Sequence, residues 1–275
     1  MRSLVLLVPL LSACELATAP FPDGAVAFDA PAVYAQWWSL TEQCSGLTGD
    51  FSQVRWYVVP GTTELPYAGE SSVGGIWYPQ GNRIVLADGQ QLAGDLVRHE
   101  MLHALLMTGG HPRSAFVDHC EGTVVCFNAC LGAAPPPDPD ADTVPPEALQ
   151  IQMEVTPPAP SSQLNDGNFM MIVSVTNTAP SPVIAKLPPS TDAAPPVAYS
   201  YEISGGSGQA FYSLPIDYPE MARFAGHQVK HFIFDFHIVP VATDNRYEVS
   251  PGTYTFTGGF AGLNAASSQV VTISP

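Results

Sequence analysis

The spacing of apolar residues changes period near the middle of the chain. In the first half, Val33, Trp37, Leu40 and Cys44 fall on one face of a predicted helix over residues 32–47, opened by Pro31. Residues 54–59 read as a strand stopped by Pro60-Gly61. Residues 74–78 and 83–87 read as two more, around the turn Pro79-Gln80-Gly81-Asn82. Helical spacing returns with Leu92, Leu96, Val97, Met101, Leu102, Leu105 and Leu106. Asp88 and Gln91 stand like a capping box before this helix, and Gly109-Gly110 is a stop signal after it. From Leu149 the period becomes two. Leu149-Gln150-Ile151-Gln152-Met153-Glu154-Val155 alternates strictly, as a half-buried strand does. Residues 169–176, 199–203, 231–238, 253–258 and 269–273 are further predicted strands, broken by Pro and Gly turns. The expected class is α+β: a small helix-and-sheet domain over residues 31–132, then an all-β antiparallel sandwich over residues 149–275.

The stretch between these units, residues 133–148, contains Pro135-Pro136-Pro137-Asp138-Pro139-Asp140-Ala141-Asp142. Such a run is extended and semi-rigid, and reads as a linker. Its three alternate Asp residues lack the Gly and distal Glu of a calcium loop and are expected to be solvated. Residues 14–30 show no clear period and are expected to be a tether.

Composition changes the picture in two ways. With 12% charged residues, 28 Pro, 23 Gly and a net charge of −16, the chain is a poor partner for nucleic acid or an anionic membrane surface. Its 46% hydrophobic content is ample for a core. The start is distinctive: Met1-Arg2, an apolar run over residues 4–11 too short to span a bilayer, then Leu11-Ser12-Ala13-Cys14. That ending resembles a bacterial lipobox. The resemblance implies a signal peptide of residues 1–13, cleavage before Cys14, and lipidation of its thiol. Glu15 is not the aspartate that retains some lipoproteins at the inner membrane. The expected location is therefore outside the cell, lipid-anchored to the outer membrane or cell surface, with membrane contact through Cys14 only.

Four cysteines remain, an even number suited to two disulfides in an oxidising compartment. Of three possible connectivities, Cys44–Cys120 with Cys126–Cys130 is preferred, because the short second loop closes locally. A cysteine zinc site is the competing idea, but no Cys-x-x-Cys pair is present.

The candidate chemistry lies in His99-Glu100-Met101-Leu102-His103. One helical turn separates His99 from His103, so both imidazoles can reach a single metal ion. Zn²⁺ suits a nitrogen-rich tetrahedral site. Glu100, beside the first ligand, can act as general base on a water at an open position. Two His and a Glu are costly to bury unpaired on an otherwise apolar helix. His111, His119 and Glu121 are candidates for the third ligand that catalytic zinc requires, in that order of preference.

The motif resembles that of the zincin metallopeptidases, over about residues 88–111. By that resemblance His99 and His103 hold zinc, Glu100 is the catalytic base, and a peptide or protein substrate lies extended along an edge strand. The metzincin continuation is not followed: Leu106 stands where that group has glycine and Gly109 where it has its third histidine. Glu121 would be the ligand in a gluzincin-like arrangement. Asp118 is a candidate to orient a histidine ligand, or a solvated loop carboxylate, and Tyr78 and Tyr67 are candidates to stabilise an oxyanion. In the second half, Pro251-Gly252-Thr253-Tyr254-Thr255-Phe256 and the strand after it resemble the final hairpin of immunoglobulin-like domains in bacterial envelope proteins. His227, His231 and His237 are read as strand-region histidines rather than a second metal site.

Two functions follow. The leading expectation is a monomeric zinc-dependent peptidase of the cell envelope. The alternative is a non-catalytic envelope lipoprotein whose metal, if present, is structural and whose sandwich is a binding module.

Overall fold

Alternation along three short strands decides how the first half folds. In the computed structural model, which describes residues 20–67, 72–124, 126, 142–156, 168–186, 197–203, 206–208, 221–238, 248–250, 252–260 and 263–273, the chain has a mixed α+β architecture. The first half contains β1 (Val26–Ala27), α1 (Val33–Ser45), β2 (Arg55–Val59), β3 (Leu65–Pro66), β4 (Ser72–Val73), β5 (Gly75–Tyr78), β6 (Arg83–Ala87) and α2 (Gly94–Leu106). The sheet order is β1-β2-β6-β5, with β2 and β6 parallel and the two edge strands antiparallel to their neighbours. β3 and β4 form a separate pair. Successive strand side chains point to opposite faces. Trp56, Trp77, Ile84 and Leu86 meet α1 and α2, whereas Ile76, Tyr78, Val85 and Ala87 form a second cluster with Leu65 and Phe21. Each fully buried large side chain contributes roughly 1.5–3 kcal/mol.

α1 buries Tyr34, Trp37, Trp38 and Thr41, a face rotated from the one expected from Val33, Trp37, Leu40 and Cys44. The bulk of the aromatic residues sets that rotation. Tyr34 stacks on Trp37 with ring centroids 5.1 Å apart, and its hydroxyl donates to the Gln91 carbonyl at 2.7 Å. Val33 and Leu40 pack at the margin. Cys44 is disulfide-bonded to Cys120, as expected. Cys126 is also in a disulfide; Cys130 lies outside the described residues, as do Cys14, the leader and residues 133–141.

The capping box expected before α2 does not form. The Asp88 carboxylate instead accepts the Gly61 N–H at 2.9 Å, and α2 starts later, after Ala93, with no side-chain cap. Its C-terminal turn is closed by Met107 in the left-handed conformation (φ 53°), before the Gly-Gly pair is reached.

The second half contains β7 (Asp142–Val144), β8 (Gln150–Val155), β9 (Asn168–Thr176), β10 (Val183–Lys186), β11 (Val197–Ile203), β12 (Gly206–Gly208), β13 (Met221–Phe224), β14 (Val229–Ile238), β15 (Glu248–Val249), β16 (Gly252–Phe260) and β17 (Leu263–Ile273). Two four-stranded sheets, β15-β14-β9-β8 and β12-β11-β16-β17, accompany a three-stranded sheet, β13-β10-β7. Most ladders are antiparallel; β14–β15 and β7–β10 are parallel. The four-stranded sheets meet through aromatic rings: Phe256 lies 5.6 Å from Phe169 and 5.5 Å from Phe236. β9 and β14 also face the first half, where Met170 and Ile233 join the core around Trp37 and Val97. Among the described residues, no helix is long and apolar enough to cross a membrane.

Candidate metal centre

α2 places His99 and His103 one turn apart, and the left-handed Met107 turns the chain back so that His111 returns to them. The three Nε2 atoms form a nearly equilateral triangle. His99 and His111 are 3.1 Å apart, and His103 is 3.2 Å from each. The fit to a metal can be tested on these distances. In a tetrahedral site with bonds of about 2.0–2.1 Å, neighbouring ligand nitrogens are roughly 3.3–3.4 Å apart. The triangle therefore has the right size for a zinc-like ion.

Its protonation points the same way. His103 donates its Nδ1 hydrogen to the Thr108 carbonyl at 2.8 Å, which fixes the tautomer and leaves Nε2 with a bare lone pair. Burial, with a smaller contribution from neighbouring His111, pushes His103 down to about 4. Burial also lowers His111. Neutral imidazoles with converging lone pairs repel one another unless a cation lies between them, and neutral imidazole is the form that binds metal. Phe116 forms the floor, its ring 4.9 Å from His99 and His103 and 5.0 Å from His111. It is carried on a π-helical turn, Ser114–His119. Trp77 of β5 stacks near-parallel on His103, at an interplanar angle of 13°.

Glu100 is 4% exposed. Burial pushes its carboxyl up to about 8, against the smaller opposing effect of a hydrogen bond from the Trp77 backbone N–H. A dication nearby would oppose that rise. His99 and His111 are half-buried.

The other candidates lie elsewhere. His119 is exposed at the end of the π-helical turn. Glu121 is engaged by Lys230 Nζ at 2.6 Å. Asp118 is ion-paired with Arg113 at 3.6 Å. Tyr78 points to the sheet face away from α2, and its hydroxyl donates to the Pro20 carbonyl at 3.0 Å. It therefore does not supply an oxyanion donor at this site. Tyr67 is 40% exposed. The Cys126 sulfur lies within 4.8 Å of ligand nitrogens of His99 and His111, but it is held in a disulfide and offers no thiolate. His231 shares a hydrogen bond with Ser174 at 2.9 Å, His227 is exposed, and the His237 side chain is outside the described residues.

No protein-family model matches the chain, and no curated protein is significantly similar to it.

Sequence reasoning did not identify Phe116, Thr108 or Trp77 as parts of the site, nor the buried Arg98 beside His99. Arg98 left a signal: an arginine among apolar helix positions must find a carboxylate if the helix is buried. Asp235, alone among Phe232, Ile233, Phe234 and Phe236, is the matching signal.

Proposed function

We propose that the chain is a zinc-dependent peptidase, zincin-like in its first half, with an immunoglobulin-like sandwich in its second. The observation that carries this reading is the triangle of three imidazole Nε2 atoms 3.1–3.2 Å apart, with a buried carboxylate on the residue next to His99 of the same helix. Three histidine ligands leave one position of a tetrahedral ion open, as in a catalytic zinc centre, whereas a structural centre closes with four protein ligands. A bound zinc ion supplies Lewis acidity and lowers the pKa of a coordinated water. His99, His103 and His111 would hold the ion. Glu100 takes the proton of the attacking water and delivers it to the leaving amine. The Trp77 N–H keeps that carboxylate in place. β5, the antiparallel edge strand nearest α2, is the element along which an extended peptide is recognised. The lipobox-like start supports export and anchoring through Cys14, outside the cell.

The test is the Glu100→Gln variant assayed on a peptide library. Zinc should remain bound while turnover falls by at least about 100-fold, the scale of a lost general base. Full cleavage by this variant would refute the mechanism.

A further inference from the structure

Three elements converge on one arginine. Arg98 precedes His99 on α2 and is fully buried. Its Nη1 and Nη2 donate to the two carboxylate oxygens of Asp235 at 3.1 and 3.0 Å. Its Nε donates to the Thr123 carbonyl at 2.6 Å. Asp235 lies in the middle of β14 and also accepts the Trp37 indole N–H from α1, at 3.0 Å. The contact is close: a Cβ on Gly94, the first residue of α2, would collide with the Asp235 carboxyl.

The same strand holds the segment that follows His111. Ile233 N–H donates to the Gly122 carbonyl at 3.1 Å, and the Thr123 hydroxyl donates to the His231 carbonyl at 3.2 Å. Gln228 donates to the Asp118 carbonyl at 2.9 Å. Lys230, 2% exposed, pairs with Glu121. Gly122 crosses the strand with φ 86°, where a Cβ would collide with the Phe232 ring. β14 thus fixes both the helix that carries two histidines and the segment beyond the third.

A buried ion pair gives little net stability over well-packed apolar residues, because two charges must be desolvated. Its bidentate geometry does set orientation. We propose that Asp235 is a positioning residue for the His99–His103–His111 triangle, so that the β-sheet unit is a working part of the metal centre rather than an appended module. This rests on the metal-centre reading above and goes beyond it, since it assigns the second half of the chain a role in metal binding.

The experiment uses the full mature chain, with zinc affinity measured by chelator competition and the ligand field read from the Co²⁺ absorption spectrum. Asp235→Asn should bind zinc about 10–100-fold more weakly, the usual effect of losing a group that orients ligands, and its Co²⁺ bands should shift. The double variant Arg98→Met/Asp235→Leu replaces the pair with apolar groups and should recover part of the thermal stability lost in Asp235→Asn, although the Trp37 N–H and the Thr123 carbonyl lose these partners. It should still bind zinc more weakly than wild type and show the altered Co²⁺ spectrum, which a merely structural pair would not cause. Wild-type affinity and spectrum in the double variant would overturn the proposal, and that arm decides the matter if Asp235→Asn fails to fold. Absence of zinc and cobalt binding in the wild type would instead refute the metal centre itself, and this proposal with it.

Discussion

The backbone N–H of Trp77 donates to the side-chain carboxylate of Glu100, so an edge strand of the sheet fixes the proposed general base. The neighbouring strand residue enforces the same position. A Cβ on Gly75 would lie 3.0 Å from Glu100 Cγ and 3.3 Å from its Oε1. Gly75→Ala should therefore press on the carboxylate, and on Leu86 Cδ2 at 3.1 Å, without touching a histidine. Peptide turnover is expected to fall about 10–100-fold, the cost of a small misplacement of a reacting group, at unchanged zinc content. Equal turnover in the two proteins would show that Glu100 is not held from this side.

Phe116 lies beneath all three imidazoles. Phe116→Ala opens a cavity there and should cost about 3–5 kcal/mol of stability in denaturant titrations, together with weaker zinc binding. Phe116→Leu keeps most of the volume and should retain both properties more fully.

How much of this was legible in the sequence depends on distance along the chain. The strand over residues 83–87, the body of α1 and the His-Glu-x-x-His helix follow from local spacing, which acts within a few residues. The return of His111 needs a turn of the backbone after α2, and left-handed Met107, not the Gly109-Gly110 pair, supplies it. The capping pattern at Asp88 does not start α2, because Asp88 has a competing partner in Gly61, 27 residues earlier. The Arg98–Asp235 pair spans 137 residues and leaves only two separate signals, each a charge in an apolar setting. The parallel pairings of β14 with β15 and of β7 with β10 are likewise non-local, and periodicity carries no information on strand direction.

The metal-free protein should have an inverted pH dependence near neutrality. Glu100, raised from 4.5 to about 8, holds a proton in the folded state that the unfolded chain releases, so its contribution falls as pH rises from about 4.5 to 8. His103, lowered from 6.5 to about 4, acts oppositely: its contribution is lost as pH falls from 6.5 to about 4. His111, also lowered by burial, acts with His103; these oppose Glu100 below pH 6.5, and the Glu100 effect dominates above it. Chelator-treated protein should thus lose stability between pH 6.5 and 8, by up to about 1.4 kcal/mol per pH unit. Glu100→Gln should abolish that slope, as measured by denaturant midpoints across the range.

The Cys44–Cys120 bridge joins the end of α1 to the segment after the third histidine, across a sequence separation of 76 residues. Closing a loop of that length restricts the unfolded chain by about 4.5 kcal/mol in the entropic account. The double variant Cys44→Ser/Cys120→Ser should unfold at correspondingly lower denaturant. A shift of under about 1 kcal/mol would mean that local packing, not the covalent link, holds this junction.

The most direct measurement is the zinc content of the purified protein after reconstitution and dialysis, for the wild type and for His99→Ala, His111→Ala and His119→Ala. The account predicts about one zinc per chain in the wild type and in His119→Ala, and loss of zinc in the other two. Zinc retained in His111→Ala, or none in the reconstituted wild type, would contradict it.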